Sequence, residues 1–278
     1  MQGTRDNSVA GCGWRSRIRR HELPRRVLTF DQAGQPDLSV VIPVYNGERI
    51  LAATMARLSG YLTSGTSEII IVENGSSDNT LEVALKHAVD TPNVTFQVLQ
   101  SQKGMGNAYR RGIEASSGRR VLLTADDLPF GTDDLDEDKK LETKPHIVIG
   151  SKAHKDSITE RSVIRGITTF GFKTLRQVIL GSKIGDSQGT LIVDGDWLRS
   201  MVDRFDDPGF LFSTQVVYAA EKQGFRIVEV PVTLAPDDEP GETTIRTADV
   251  VKMFKGLVAM RRRRSEFAVA PSAGTHAS

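Results

Sequence analysis

The chain has 278 residues, of which 38% are hydrophobic and 26% charged, as in ordinary soluble globular proteins. Its formal net charge is only +1, and its arginines crowd the terminal regions without interleaved aromatic residues, which argues against nucleic-acid binding. The single cysteine, Cys12, has no intrachain disulfide partner, and no apolar stretch approaches the roughly 20 residues that cross a bilayer. With no signal-peptide core at the N-terminus either, we expect a cytoplasmic protein.

Apolar runs that alternate with amphipathic segments predict an α/β fold. The runs 38–43 and 68–73 are apolar without interruption, which is typical of strands covered on both faces in a parallel sheet. The other predicted elements are, in chain order, helix 47–64, a helix from about 80 to 87, strand 95–99, helix 106–116, strand 120–124, strand 147–150, helix 160–181, strand 191–193, helix 213–223 and strand 225–232. This order predicts a doubly wound, mostly parallel sheet in one domain, residues 37–236.

Basic residues mark both ends of the chain. Residues 1–36 are polar, arginine-rich and aperiodic, and we predict a flexible basic tail there. Residues 237–278 are predicted to form a C-terminal amphipathic helix and a tail. The apolar positions of this helix have basic neighbours: Val250, Val251, Phe254, Leu257 and Val258 beside Lys252, Lys255 and Arg261 to Arg264. Two interpretations fit, a helix on an anionic membrane surface or a helix packed on the domain with a solvated basic end.

Polar side chains follow the predicted strands. Tyr45 and Glu48 come directly after the first strand, and Glu73 ends the second. Because ligands of open α/β sheets bind beyond the carboxyl ends of the strands, these residues predict a ligand site. The segment 103–106 is a glycine-rich entry to a helix, whose backbone N–H groups and lysine charge suit an anion.

Two adjacent carboxylates, Asp126 and Asp127, follow the strand at 120–124. Carboxylate oxygens are hard ligands that suit Mg²⁺ or Mn²⁺, and such ions often take only one or two carboxylates when phosphates supply the other ligands. The acidic run continues through 133–138, so a solvated acidic loop is the alternative interpretation.

Seven motifs in the right order resemble the family 2 glycosyltransferases of GT-A fold, and within them the dolichyl- or polyprenyl-phosphate sugar synthases. They lie at 39–48, 69–80, 103–118, 122–130, 150–152, 186–189 and 224–232. The resemblance covers about residues 38 to 234. It implies an inverting transfer of a sugar from a nucleotide-sugar donor, a GDP- or UDP-sugar, to a polyprenyl phosphate, with Mg²⁺ or Mn²⁺ as cofactor.

The resemblance also implies roles for individual residues. Those implied to bind the nucleotide-sugar are Pro43, Tyr45, Glu48, Glu73, Lys103, Gly104, Asp126 and Gln188. Asp127 is implied to ligate the metal, and the residues implied in catalysis are Asp127, Asp186, Lys152 and Arg165. Lys152 stands in place of an arginine, so it keeps the charge but lacks the bidentate fork of a guanidinium.

Some positions depart from the family pattern. Glu73 replaces the first of two aspartates. Ala125 and Asp126 replace the first two residues of an Asp-Ala-Asp motif that ends at Asp127. Either Asp126 takes over part of the missing role, or nucleotide binding has changed. Gln215 occupies a position near which the family often has an acid, and glutamine cannot act as a general base.

The missing acid favours a phosphate acceptor. A phosphate monoester has a second pKa of about 6 and is already ionised near pH 7, whereas a hydroxyl acceptor needs a base unless Asp186 serves. The alternatives are a family 2 enzyme with a hydroxyl acceptor and a non-catalytic nucleotide-sugar-binding or scaffold protein. Because polyprenyl phosphates lie in bilayers, we expect peripheral contact with the cytoplasmic face of a membrane, and we suggest a small integral-membrane partner as an anchor.

Overall fold

The computed structural model describes residues 34–158, 163–234 and 247–269, with the backbone alone for 163–170 and 247–250. The predicted basic tail, apart from 34–36, lies outside the described residues, and so do the segment 235–246 and the end of the chain from 270. The described residues form seven strands and nine α-helices, in the order β1 (Leu38–Val44), α1 (Leu51–Tyr61), β2 (Ser67–Glu73), α2 (Thr80–His87), β3 (Val94–Gln100), α3 (Met105–Ala115), β4 (Arg120–Leu123), α4 (Asp133–Lys140), β5 (Ile147–Gly150), α5 (Val163–Leu180), β6 (Thr190–Asp194), α6 (Gly195–Met201), α7 (Leu211–Lys222), β7 (Ile227–Val230), α8 (Thr247–Arg262) and α9 (Arg264–Ala268).

The seven strands form one sheet in the order β3-β2-β1-β4-β6-β5-β7. Strand β6 runs antiparallel to both of its neighbours, and every other neighbouring pair is parallel. The chain moves outward in one direction from β1 to β3 and then crosses to β4 on the other side, so the strand order reverses between β1 and β4. The predicted α/β fold with a mostly parallel, doubly wound sheet is thus confirmed, and its switch point lies between β1 and β4.

Each face of the sheet carries a hydrophobic core, which explains the uninterrupted apolar runs. Alternate side chains of a strand point to opposite faces. Val40 and Ile42 of β1 pack with Leu51 of α1 in one core. Val41, between them, packs in the other core, which includes Phe212 of α7. Helices therefore cover both faces of the sheet, so a ligand can approach it at the ends of its strands. We call the side where the parallel strands begin the amino edge, and the side where they finish the carboxyl edge.

Helix α1 begins later than predicted, and helices α4, α6 and α9 were not predicted. The helix predicted at 47–64 begins only at Leu51, because Asn46 adopts a left-handed conformation (φ 54°) and the Gly47 amide donates to the Thr80 hydroxyl (2.8 Å). Helix α4 was not predicted, since its sequence reads as an acidic solvated run. Three of its five acids occupy the first turn and its lysines the last, which complements the helix dipole, and Leu135 is its buried apolar anchor.

At the amino edge of the sheet, where the parallel strands begin, a buried glutamate joins three segments. Glu68 of β2 accepts hydrogen bonds from the Ser39 hydroxyl (2.5 Å) and the Ser117 amide (2.6 Å). The Gly118 amide in turn donates to the Ser39 hydroxyl (2.8 Å), and Gln97 donates to the second oxygen of Glu68 (3.3 Å). These bonds tie the starts of β1 and β2 and the middle of β3 to the segment that leads into β4.

Candidate functional site

At the carboxyl edge, the loops after β1 and β2 are joined beside the switch point. The Gly47 amide donates to Thr80, and the Asn79 amide donates to Glu48 Oε2 (2.8 Å). Glu48, predicted from the sequence to contact the donor, therefore supports the N-terminus of α2 in this structure. Pro43, from the same predicted set, is buried within β1. Both residues thus contribute to the structure beneath the loops at this edge.

Glu73 ends β2 and is buried beneath the following loop. Its Oε1 accepts the Ser76 amide (2.5 Å), and its Oε2 accepts the Gln100 side-chain amide (2.9 Å). Burial alone would raise the pKa of Glu73, but these hydrogen bonds outweigh it and hold the pKa below its ordinary value. The carboxylate is thus ionised and engaged inside the protein, where it shapes the loop.

Tyr45 and Lys103, predicted to lie in the same site, are in direct contact. The Lys103 ammonium donates to the Tyr45 hydroxyl (2.7 Å) and lies 4.2 Å from the centroid of its ring. Both side chains are exposed, and Lys103 packs on Gly75, where a Cβ would lie 3.6 Å from the Lys103 Cβ. An aromatic face and a cation therefore project together above the ends of β1 and β2.

The glycine-rich entry to α3 has a different role from the one predicted. The Gly106 amide donates to the Pro208 carbonyl (3.0 Å), and a Cβ at Gly106 would lie 2.0 Å from the Asp207 carbonyl. At Gly104 (φ 129°) a Cβ would lie 2.2 Å from the Pro208 carbonyl. The glycines let the 207–208 backbone approach the helix, and the amide of Gly106 is used by the protein. The prediction of an open N–H group for an anion is therefore wrong at Gly106.

Asp126 and Asp127 follow β4 directly across the switch point from the loop after β1. A Cβ at Gly47 would lie 2.9 Å from Asp126 Oδ2, so that glycine admits the carboxylate. Burial, with the neighbouring charge of Asp127, raises the pKa of Asp126 to about 6. Asp127 is exposed.

These two carboxylates fit a divalent cation. Their oxygens are hard ligands, and a nearby positive charge would relieve the repulsion between Asp126 and Asp127 that contributes to the raised pKa. In the described ranges, no group of three or more His, Cys, Asp or Glu side chains is arranged to hold a metal ion. The pair therefore offers a divalent ion only two protein carboxylates, and such ions commonly complete their coordination with water or phosphate oxygens.

Three of the four site residues predicted from the second half of the chain, Lys152, Asp186 and Gln188, meet at one turn. The Asp186 carboxylate accepts the backbone amides of Lys152 (3.1 Å) and Gln188 (3.0 Å). The Lys152 ammonium lies 5.8 Å from the ring centroid of Phe130, in the loop that follows β4. A continuous series of contacts thus runs from the loop after β1, through the loop after β4, to the Asp186 turn. Arg165 lies in α5, in the part whose side chains are not described.

Two charged residues beneath this turn were missed by the sequence analysis. Glu229 of β7 accepts hydrogen bonds from the amides of Gly185 (2.8 Å) and Asp186 (2.9 Å) and from the Ser151 hydroxyl (2.6 Å). Arg176 of α5 is only 1% exposed and donates to carbonyls of the same segment. The one available signal was an acidic residue within the apolar strand 225–232.

Gln215 is buried and holds the loop that covers α3. Its side-chain amide donates to Asp206 (2.8 Å), and its oxygen accepts the Asp207 amide (3.1 Å). This loop ends at Phe210, which is 72% exposed and whose carbonyl lies 3.5 Å from the Gln188 side-chain nitrogen. Gln215 therefore has a structural role here, which accounts for an amide where an acid is common.

The C-terminal helix α8 has one face packed on the domain and one face exposed. Leu257 and Met260 are buried, whereas Val251 and Phe254 are 48% and 47% exposed. A groove of about 390 Å³ is lined by Phe254, Lys255, Val258, Ala259, Arg262 and Arg263. Among the helices that the structure describes, none is long and apolar enough to cross a membrane.

Comparison with known proteins places this geometry in a family. Residues 39–190, more than half of the chain, match the Glycosyl transferase family 2 domain. The dolichyl-phosphate beta-glucosyltransferase of Mus musculus is 30% identical over 245 residues, which cover 81% of this chain and 75% of that protein. The enzyme of the same name from Saccharomyces cerevisiae is 28% identical over 268 residues, covering 87% of this chain and 80% of that protein.

The fold is similar to solved structures as well. The glucosyl-3-phosphoglycerate synthase of Mycobacterium tuberculosis, solved with Mn²⁺, UDP-glucose and phosphoglyceric acid, superposes with a TM-score of 0.58 at 18% identity. The match covers 86% of this chain and 82% of that one. The chain is therefore a glycosyltransferase of GT-A fold and belongs to glycosyl transferase family 2.

Proposed function

We propose that this glycosyltransferase transfers a sugar, with inversion, from a nucleotide-sugar to a polyprenyl phosphate. The observation that carries the proposal is the series of contacts at the carboxyl edge, which joins the Tyr45–Lys103 pair, the two aspartates after β4 and the Asp186 turn. The relatives named dolichyl-phosphate beta-glucosyltransferase support the acceptor class.

On the donor side, we propose that Tyr45 offers an aromatic face to the nucleotide and that Lys103 contacts its phosphates. Glu48, Glu73 and Pro43 keep the surrounding loops in place, and Gly104 lets the covering loop approach. A UDP-sugar is the first donor to test, because the structural neighbour from Mycobacterium tuberculosis is solved with UDP-glucose; a GDP-sugar is the second.

We propose that Asp127, with Asp126 beside it, would hold Mg²⁺ or Mn²⁺. A bound divalent ion would neutralise charge that develops on the departing diphosphate. An acceptor phosphate oxygen attacks the anomeric carbon, and the bond from that carbon to the diphosphate oxygen breaks with its electron pair. Because the acceptor is already ionised near pH 7, this step needs no general base. Gln215, which is engaged by the Asp206 carboxylate and the Asp207 amide, is therefore not required to act as one.

On the acceptor side, we propose that Lys152 and Arg165 bind the acceptor phosphate and that Asp186 and Gln188 orient the reacting groups. Phe210, exposed beside Gln188, offers an apolar surface to the first prenyl units.

We further propose a peripheral position on the cytoplasmic face of a membrane. The outer face of α8 combines exposed Val251 and Phe254 with Lys252 and Lys255, which suits an anionic lipid surface. Phe254→Ser should weaken sedimentation with vesicles that contain phosphatidylserine. Binding to native membranes but not to protein-free vesicles would instead indicate a small integral-membrane partner.

The central test is a panel of labelled UDP- and GDP-sugars with a polyprenyl phosphate and Mn²⁺ or Mg²⁺. We expect an organic-extractable, mild-acid-labile product. Asp127→Ala should lower metal-dependent turnover by about 10²- to 10³-fold, because the leaving group loses its charge stabilisation. Glu137→Ala, a change in the same acidic region, is the matched control and should leave turnover unaltered.

The outcomes separate the competing functions. Nucleotide release only with a water-soluble hydroxyl acceptor would contradict a lipid acceptor. Nucleotide binding with no transfer to any acceptor would contradict the proposed reaction. Wild-type-like rates in Asp127→Ala would contradict the proposed metal ligand.

A further inference from the structure

We propose that Glu229 is a positioning residue, which presets the two turns that carry Lys152 and Asp186. The proposal rests on the proposed function, because those turns matter only if they face the acceptor. Glu229 does not itself contact the reacting groups. It acts through the backbone of both turns.

Glu229 receives three hydrogen bonds from two separate segments of the chain. Its Oε1 accepts the Asp186 amide (2.9 Å) and the Ser151 hydroxyl (2.6 Å), and its Oε2 accepts the Gly185 amide (2.8 Å). Asp186 then accepts the Lys152 amide through Oδ2 (3.1 Å). One carboxylate thus fixes the relative placement of the turn after β5 and the turn before β6.

The close approach is built into the sequence at Gly185. A Cβ there would lie 2.9 Å from Glu229 Oε1 and 3.1 Å from the Ala153 Cβ. On the other side of the turn, the Arg176 guanidinium donates to the carbonyls of Ile184 and Gly185. Burial lowers the pKa of Arg176, and the charges of Glu221, Asp186 and Glu229 oppose that shift. The turn is therefore held between a carboxylate that accepts its amides and a guanidinium that donates to its carbonyls.

Only a carboxylate satisfies this geometry. Glutamine has nearly the same shape, but one of its two terminal atoms is an NH₂ group that cannot accept a hydrogen bond. Whichever way the amide is turned, at least one N–H or O–H donor of Gly185, Asp186 or Ser151 faces another donor. A donor left without an acceptor weakens the turn.

The experiment compares Glu229→Gln with Glu68→Gln. Glu68 is a matched control because it also accepts from backbone amides and a serine hydroxyl, but at the amino edge. We expect Glu229→Gln to lower kcat about 10- to 100-fold with the donor KM changed less than about twofold, the size of effect seen when a group that orients a ligand is altered. Glu68→Gln should leave both kinetic parameters unaltered, because its side-chain oxygen can still accept the bonds that Glu68 Oε1 accepts.

Hydrogen exchange provides a readout that needs no turnover. In Glu229→Gln, the amides of Gly185 and Asp186 should exchange at least about tenfold faster, because their acceptor is weakened or lost. The amides of Ser117 and Gly118 should keep wild-type exchange in this variant and lose protection in Glu68→Ala, which removes the Oε1 acceptor.

Unaltered exchange at Gly185 and Asp186 would overturn the inference, and so would faster exchange combined with a wild-type kcat. A parallel rise in donor KM would also overturn it, since it would place the effect at the nucleotide loops. If the wild-type protein transfers no sugar to any lipid phosphate, the proposed function fails on its own, whatever the exchange data show.

Discussion

The two edges of the sheet use similar hydrogen bonds with different results. Glu68 at the amino edge and Glu229 at the carboxyl edge each accept from backbone amides and a serine hydroxyl. The partners of Glu68 stand where strands begin, so its bonds hold the sheet together. The partners of Glu229 stand in turns that carry Lys152 and Asp186. The hydrogen bonds of the two glutamates alone therefore do not show which of them supports a site. The side chains carried by the backbone that each glutamate holds do show it.

The carboxyl edge also keeps charges in unfavourable surroundings. Burial, with the charge of Asp127, raises the pKa of Asp126 to about 6. Burial likewise raises the pKa of Asp134, in the first turn of α4, to about 6. Buried carboxylates with raised pKa values are common at ligand sites, where they lower the stability of the free protein. The hydrogen bonds at the amino edge thus raise the free energy of unfolding, whereas the buried carboxylates at the carboxyl edge lower it.

The largest effect on stability is expected at the amino edge. Glu68→Ala removes the acceptor of the Ser39 hydroxyl and the Ser117 amide and should lower the free energy of unfolding by about 3 kcal/mol. Thermal unfolding should show a fall in Tm of roughly 6 to 12 °C. Glu82→Ala, an exposed change on α2, is the control and should stay within about 0.5 kcal/mol of wild type. A stable Glu68→Ala variant would remove the contrast between the edges.

A second prediction concerns the contact that covers α3. Gly106→Ala places a Cβ 2.0 Å from the Asp207 carbonyl, so backbone must move, and the free energy of unfolding should fall by about 2 to 3 kcal/mol. Gly60→Ala is the control, because a Cβ at Gly60 meets nothing within 4 Å. It should raise stability by about 0.5 to 1 kcal/mol, through the better helix propensity of alanine. Equal effects of the two changes in chemical denaturation would contradict the close approach.

The third prediction uses the raised pKa of Asp134. Between about pH 4 and pH 6, the folded protein keeps a proton that the unfolded chain has released, so the free energy of unfolding falls as pH rises through this window. Asp134→Asn removes this titration. The variant should match wild type near pH 3.5 and exceed it by about 2 kcal/mol at pH 8. Parallel pH profiles of the two proteins in urea denaturation would contradict this cause.

The strands and their burial could be predicted from the sequence, because uninterrupted apolar runs report a sheet covered on both faces. Tyr45 and Lys103 were assigned to the same site from the sequence, but their direct contact was not predicted. Helix α4 could not be predicted from hydrophobic periodicity, since Leu135 is its main buried apolar residue and its stability depends on charge placement along the helix axis.

Glu229 and Gln215 were missed or misread for a different reason. A single acidic residue within a strand is compatible with a solvent-facing side chain, and only the tertiary structure brings the Asp186 turn onto Glu229. Gln215 was compared with an acid that acts chemically, although its partners are the 206–207 backbone and side chain. Long-range contacts of this kind leave no periodic signal in one sequence.

The reversed direction of β6 has a consequence for protein engineering. Because β6 runs opposite to β4 and β5, the segment that precedes it lies at the carboxyl edge, and Gly195, which follows it, contacts the Arg119 carbonyl at the opposite edge. A tag inserted after Asp194 would therefore break the start of α6, whose Trp197 amide donates to the Asp194 carboxylate (2.9 Å), whereas a changed loop ahead of Thr190 would act on the Asp186 turn.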